Sequence, residues 1–288
     1  MKGIIIKGIA GFYYVKTEER VYQSKARGIF KKDGITPYVG DEVIIAPLDE
    51  TEAVVNEILP RKNCFIRPPI ANVDCFIIVT AAAKPQPNPD IIDKFLVMAE
   101  KNHTDIIVCI NKIDLVSEEK RRSIESIYES IYPVVCICGA TGDGIQTLVQ
   151  LMGSRKCALA GPSGTGKSTI LNRLQTRFLV ETGDISEKTK RGKHTTRHVE
   201  LFETDSGALV FDTPGFTSFD ILDADTEELH FLYPEMVPFI GSCKYDDCRH
   251  VKEPDCSVRD AVIAGKIHES RYQSYLSQYK EIQEKKKY

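Results

Sequence analysis

Long apolar segments are missing from this chain. No run approaches the ~20 apolar residues that a membrane-crossing helix needs. The opening Met1-Lys2-Gly3-Ile4-Ile5-Ile6-Lys7 has three apolar residues before the next lysine, unlike a secretory leader. These absences predict a cytoplasmic protein whose cysteines stay reduced. Strong charge is missing too: the net charge is -3, so bulk electrostatics make no case for nucleic acid. There is no internal repeat, and no low-complexity segment beyond Lys285-Lys286-Lys287, which reads as a solvated end. No heptad or strong apolar stripe suggests assembly, so a monomer is expected. What remains is ordinary for a soluble globular protein, with 42% hydrophobic and 27% charged residues. The 288 residues suffice for two or three domains.

Cysteine is present nine times. Cys64, Cys75, Cys109, Cys136, Cys138 and Cys157 are scattered, mostly in apolar runs, and are expected to act as small core hydrophobes. The other three gather with a histidine near the C-terminus.

The chain reads as three regions. Residues 1–62 carry candidate strands Gly3 to Ala10, Gly11 to Lys16, Val21 to Phe30, Asp41 to Pro47 and Ala53 to Leu59, punctuated by Asp33-Gly34 and Gly40-Asp41. Five short strands predict a small β-barrel of the OB-fold type. Residues 63–222 alternate strands with helices. Val73 to Ala82, Thr104 to Ile110, Pro133 to Cys138, Cys157 to Gly161, His198 to Glu203 and Ala208 to Asp212 are candidate strands. Ile91 to Lys101, Ser117 to Ile131, Gly144 to Met152 and Lys167 to Gln175 are candidate helices. This rhythm predicts an α/β domain with a mostly parallel sheet. In residues 223–288 strand signals vanish, and Val258 to Lys287 is polar and helix-compatible.

Gly161-Pro162-Ser163-Gly164-Thr165-Gly166-Lys167-Ser168-Thr169 matches G-x-x-x-x-G-K-[ST] between a strand and a helix. Glycines let successive backbone N–H groups turn toward phosphate oxygens, and the following helix adds its positive end. Lys167 would reach the β- and γ-phosphates, and the Ser168 hydroxyl would coordinate Mg²⁺. The loop alone does not name the nucleotide, because ATPases and monophosphate kinases use similar loops.

Asn111-Lys112-Ile113-Asp114 follows an apolar strand and resembles the N-K-x-D segment of GTPases. Guanine carries N1–H and an N2 amine, and a carboxylate at Asp114 can accept from both, whereas adenine would leave it unpaired. Asn111 would hold the loop and approach N7, and the Lys112 stem would lie along the base or ribose. Gly139-Ala140-Thr141 looks like a degenerate S-A-K segment, in which the Ala140 N–H would cap guanine O6 and Gly139 replaces the usual serine.

Asp212-Thr213-Pro214-Gly215 resembles the D-x-x-G switch, with Asp212 holding Mg²⁺ through water and the Gly215 N–H sensing the γ-phosphate. The next residue is Phe216, where Ras-like proteins carry the water-orienting glutamine. Slow intrinsic hydrolysis, completed by a partner, is expected. The polar, basic segment 188–197 reads as a loop; Thr195 and Thr196 are both candidates for the switch threonine. His194 either positions water or is a solvated loop histidine; its ordinary titration range permits both. GTPases normally place N-K-x-D after the other motifs; here it comes first, so the domain reads as circularly permuted.

Cys243, Cys248, His250 and Cys256 read C-x4-C-x-H-x5-C, a donor set for a closed tetrahedral structural zinc site. Asp255, His268 and His230 lack matching spacing and are expected at the surface.

Taken together, these motifs resemble those of the circularly permuted, ribosome-small-subunit-dependent GTPase A family. Its carriers are Asn111 to Asp114, Gly161 to Thr169, Gly192 to Thr196 with Lys193 in place of an arginine, Asp212 to Phe216, and the Cys/His set. The resemblance implies GTP and GDP as ligands, Mg²⁺ with GTP, one structural zinc, and binding to the 30S subunit and its 16S rRNA during late maturation. It also implies that the barrel touches rRNA; Phe12, Tyr13 and Tyr14 either stack on bases or pack internally. The rival readings are a nucleotide-regulated binding module that scarcely turns over, and an ATPase or monophosphate kinase. Asn111 to Asp114 opposes the second.

Overall fold

Alternating burial shapes the N-terminal segment. Gly3 and Ile5 point inward from β1 (Lys2–Ile9), Val43 and Ile45 from β4 (Glu42–Pro47), and Ala53 and Val55 from β5 (Glu52–Ile58). With β2 (Phe12–Lys16) and β3 (Val21–Ala26) these strands close on themselves. The pairs β1–β2, β2–β3, β4–β5 and β1–β4 are antiparallel and β3–β5 is parallel. This is the expected five-stranded OB-type barrel, whose closure removes free sheet edges. β3 stops at Ala26, short of the expected Phe30. Gly28 has no side chain to pack on a sheet, and the chain turns there so that Phe30 N–H donates to the Arg27 carbonyl at 3.1 Å and Phe30 is buried.

The computed structural model describes residues 1–28, 30, 34–182, 199–216 and 224–285. These pack as two units. The first comprises Met1–Phe76, Ile145–Leu159 and Ser168–Phe216. In it the barrel sheet continues through β12 (Glu200–Glu203) and β13 (Leu209–Phe216) to β11 (Lys156–Ala160), in the order β11-β13-β12-β1-β2-β3-β5-β4. Lys7 pairs with Glu200 in register and by a 3.4 Å ion pair, and Lys16 reaches Glu203. A short hairpin that the sequence pattern had not suggested, β6 (Cys64–Ile66) with β7 (Pro69–Ala71), follows the barrel. β13 runs on through Asp212-Thr213-Pro214-Gly215, past the expected end at Asp212. β12 starts at Glu200 opposite Asp212, so on that side Pro214 removes no ladder bond.

The second unit comprises Ile77–Gly144, Ala160–Lys167 and Thr217–Tyr288. β8 (Cys75–Ala81) is buried at all seven positions, as its apolar run, broken only by Thr80, dictates. Beside it lie β9 (Asp105–Asn111) and β10 (Val134–Cys136), the latter two parallel. Helix α1 (Pro89–Lys101) is capped by Asn88, whose side chain accepts from Ile91 N–H, and buries Ile92, Phe95, Leu96 and Ala99. α2 (Glu118–Tyr128) is capped by Ser117. The helices α3 (Ile145–Met152) and α4 (Lys167–Thr182) belong to the first unit, apart from Lys167; α4 runs past the expected Gln175, and no glycine or proline interrupts it.

The C-terminal tail forms two helices, α5 (Ser257–Ile263) and α6 (Glu269–Lys285), separated at Gly265, whose φ of +69° ends the first. They share an apolar core with Val97 of α1, including Leu229, Tyr233, Met236, Val258, Tyr275 and Ile282. Within this core Arg271 is fully buried; its guanidinium donates to Asp93 and to Glu235, each at 2.6 Å, and lies over the Tyr233 ring. No described helix is long and apolar enough to cross a membrane.

Candidate nucleotide and metal sites

β11 ends at Ala160 and α4 begins at Lys167, so the loop 161–166 has the strand–loop–helix setting that phosphate binding requires. Two of its glycines are demanded by close approach. A Cβ on Gly161, at φ +137°, would stand 2.2 Å from the Val79 carbonyl oxygen. One on Gly166, at φ +96°, would stand 2.2 Å from Asn111 Nδ2. The loop therefore lies against the ends of β8 and β9. Lys167 Nζ donates to the Gly161 and Pro162 carbonyls at 2.7 Å each, curling the loop around the ammonium. Burial pulls the Lys167 ammonium down to about 8.

Asn111 ends β9 and is only 2% exposed. Its Nδ2 donates to the Thr165 carbonyl at 2.8 Å, and its Oδ1 accepts from Lys112 N–H at 2.7 Å and Gly139 N–H at 2.9 Å. The chain then turns through the left-handed region at Lys112, φ +63°, into a 3₁₀ turn over Ile113–Leu115. Lys112 Nζ donates to the Gly164 carbonyl at 2.7 Å and to the Lys84 carbonyl. Asp114 is exposed on that turn, and Cys138 Sγ donates to its Oδ1 at 3.1 Å. Gly139 is buried and Ala140 exposed beside it. One cluster thus gathers Asn111, Lys112, Ile113, Asp114, Gly139, Ala140 and the loop Gly161, Pro162, Ser163, Gly164, Thr165, Gly166, Lys167. Ser168 and Thr169 follow as exposed residues of the first turn of α4. Asp212 lies on β13, where Gln175 Nε2 donates to its Oδ2 at 3.4 Å, and Gly215 lies on the same strand. His194, Thr195 and Thr196 lie outside the described residues.

Cys243, Cys248, His250 and Cys256 bring their ligand atoms within 4.8 Å of one another. Around a tetrahedral zinc, Zn–S bonds of about 2.3 Å place two sulfurs about 3.8 Å apart. Here Cys243 Sγ and Cys256 Sγ are 3.9 Å apart, and His250 Nδ1 is 3.6 and 3.4 Å from them. The donor set therefore fits a metal ligated through Nδ1. Burial pushes the Cys248 thiol up to about 12. It also pushes up Cys243, but hydrogen bonds from Ser257 and the Val258 backbone outweigh it and leave that thiol lowered. A cation supplies what such thiolates need. The knuckle is tied to α6, whose Tyr272 and Tyr275 hydroxyls donate to the His250 and Arg249 carbonyls at 2.8 and 2.5 Å.

Three expectations need correction. His230, expected at the surface, is 5% exposed, its ring centroid 5.1 Å from that of His250. Burial first, then His250 and Arg249, hold it down at about 4. Its position between the apolar Leu229 and Phe231 was the available signal. Asp255 and His268 are exposed as expected. Cys64 is exposed and Cys136 half-buried, its thiol donating to Glu125 at 2.6 Å; the other four scattered cysteines are buried. Cys64 starts a three-residue hairpin strand too short to have a buried face.

With this geometry in hand, comparison with known proteins decides the family. Residues 58–222 match the model of the RsgA GTPase, and residues 2–55 that of the RsgA N-terminal domain. The chain belongs to the RsgA GTPase family. It is 44% identical to the small ribosomal subunit biogenesis GTPase RsgA of Agathobacter rectalis over 302 residues, covering 100% of both chains. It is 45% identical to the protein of that name from Carboxydothermus hydrogenoformans, covering 98% of each. Among solved structures, YjeQ from Thermotoga maritima matches with a TM-score of 0.84 and 36% identity over 98% of both chains. YloQ, described as a circularly permuted GTPase, matches with a TM-score of 0.83 and 35% identity, over 99% of this chain and 95% of the other. The barrel, the GTPase domain and the Cys/His region expected from the sequence are thus those of this family.

Proposed function

We propose that this protein hydrolyses GTP to GDP and phosphate as a late factor in small-subunit ribosome biogenesis, with hydrolysis stimulated by the 30S subunit and binding to its 16S rRNA. Family membership supports the reaction and the partner. The single observation that carries the nucleotide reading is Asn111, whose buried amide joins the phosphate loop at Thr165 to the base-reading turn and to Gly139. Phosphate and base contacts are thereby held in one fixed relation, which guanine-specific binding of a triphosphate requires.

In this reading Asp114 accepts from guanine N1–H and N2, Ala140 N–H caps O6, and the N–H groups of 161–169 cradle the phosphates. Lys167 leaves the Gly161 and Pro162 carbonyls for phosphate oxygens. Ser168 and, through water, Asp212 would hold Mg²⁺, which would supply charge neutralisation. Gly215 senses the γ-phosphate, and His194 or a ribosomal group orients the attacking water. Thr195 or Thr196 closes the switch. Zinc, with a structural role, fits the closed four-ligand set of Cys243, Cys248, His250 and Cys256. In this reading the domains span residues 1–62, 63–222 and 223–288. A monomer acting in the cytoplasm suits this role.

Phe216 favours a second reading, a switch that turns over scarcely at all and works through its GTP- and GDP-bound shapes. One experiment separates the readings: single-turnover hydrolysis of GTP, with ATP as control, by the zinc-loaded protein alone and with 30S subunits. Stimulation confined to GTP supports the GTPase reading. GTP binding without stimulation supports the switch and removes the activating partner.

A further inference from the structure

Position 139 is glycine, so no side chain there can steady the neighbouring Asp114 carboxylate. That carboxylate has a demanding task. To accept from N1–H and the N2 amine together, its plane must coincide with the plane of the base, yet it sits on an exposed 3₁₀ turn. A free carboxylate would lose rotational freedom on binding, which subtracts from affinity. The residue one step earlier occupies the gap. Cys138 is 2% exposed, and its Sγ lies 3.1 Å from Asp114 Oδ1. Both sides of the contact are anchored. Cys138 N–H donates to the Asp143 carbonyl at 2.9 Å, and the Cys138 carbonyl accepts from Gly142 N–H at 2.7 Å. Across from it, Ile113 N–H donates to the Ile137 carbonyl at 3.4 Å, which ties the Asp114 turn to the strand end carrying the thiol.

We infer that Cys138 is a positioning residue for guanine recognition: its thiol donates to one oxygen of Asp114 and fixes the carboxylate plane that reads the base. The inference rests on the assignment of Asp114 as base reader. An ionised carboxylate has about four lone-pair directions, so one can go to the thiol while others remain for N1–H and N2. A thiol is a weak donor, but a charged acceptor strengthens the bond. The chain thereby gains a specificity determinant in a segment whose usual hydroxyl it lacks.

The test uses full-length, zinc-loaded protein and competition of a fluorescent GDP by GDP and by inosine diphosphate. Inosine lacks the N2 amine, so the ratio of the two affinities reads carboxylate orientation and is insensitive to general damage. Cys138→Ala is expected to lower the GDP-over-inosine-diphosphate ratio about three- to tenfold, the net range of an ordinary hydrogen bond, because the thiol is a weak donor. Cys138→Ser, which restores a donor, should hold the ratio within about twofold of wild type by the same argument. Equal losses for both nucleotides, an unchanged ratio in Cys138→Ala, or a serine variant as impaired as alanine would overturn the role of Cys138. Asp114→Ala separates the layers. If it abolishes the guanine preference while Cys138→Ala does nothing, only the thiol's role falls. If it leaves the preference intact, base reading at Asp114 falls and the inference falls with it.

Discussion

Asn111 Nδ2 donates to the Thr165 carbonyl at 2.8 Å across 54 residues of sequence. The same side chain accepts from Gly139 N–H at 2.9 Å, so a single amide serves both a donor and an acceptor on separate loops. In Asn111→Ala the Thr165 carbonyl and the Gly139 N–H lose their partner together, each at a cost of about 1–3 kcal/mol where water cannot replace it. We expect GDP affinity to fall by at least about tenfold, together with a lower melting temperature. Asn111→Asp should be as poor, because it sets a carboxylate oxygen against the Thr165 carbonyl. Nucleotide titration and thermal unfolding of the two variants check this.

Lys167 carries the pH dependence. Its ordinary value of 10.5 in the unfolded chain drops to about 8 in the folded protein through burial. Between these values the unfolded chain binds more protons, so stability rises with pH across that window and is lost as pH falls through about 8. Nucleotide binding has the opposite sign. A phosphate beside the ammonium favours the charged form, so above pH 8 binding takes up a proton. GDP affinity should fall by up to about tenfold between pH 8 and 9, and residual binding by Lys167→Ala should not follow that slope. Calorimetry in buffers of different ionisation enthalpy would register the proton directly.

The features legible in the sequence are those whose chemistry is local. The loop from Gly161 to Thr169, the run Asn111 to Asp114 and the Cys/His knuckle are short segments in which side-chain type and spacing already specify a backbone shape. The barrel was legible because its strands are short, rich in Val, Ile, Tyr and Phe, and punctuated by Asp33-Gly34 and Gly40-Asp41. Contacts between distant segments left no such trace. Nothing near Arg271 announces Asp93, 178 residues earlier. The burial of His230 against the metal knuckle depends on how the tail folds back. The Cys138–Asp114 contact needed the register of two strand ends.

Metal removal tests the knuckle. Tyr272 and Tyr275 of α6 are anchored on the His250 and Arg249 carbonyls, so loosening the knuckle frees the helix that carries Arg271. A chelator, or Cys256→Ala, should release one zinc per chain and lower the melting temperature of the C-terminal region. Because Asn111, Asp114 and the phosphate loop make none of those bonds, GDP binding at low temperature should persist. Metal analysis beside a GDP titration of the same sample decides the point.

Arg271 provides the largest expected stability effect. Its guanidinium donates to Asp93 and Glu235 with no exposure to solvent, while the surface pair Lys280–Glu284 is 3.9 Å apart and exposed. Burial pushes the Asp93 carboxyl upward, with the Arg271 charge and then a Ser274 hydrogen bond pulling it back, so deleting the arginine leaves two acids in an apolar core without their counter-charge. Arg271→Met should therefore cost about 3–5 kcal/mol, the usual penalty for breaking a buried pair from one side. Lys280→Ala should cost under about 0.5 kcal/mol. Replacing all three partners together, Arg271→Met with Asp93→Leu and Glu235→Leu, removes the charges along with their attraction and should recover much of the loss. Denaturant unfolding of the three proteins measures this directly. A triple variant no better than Arg271→Met would mean that the network contributes net stability, beyond compensating its own desolvation.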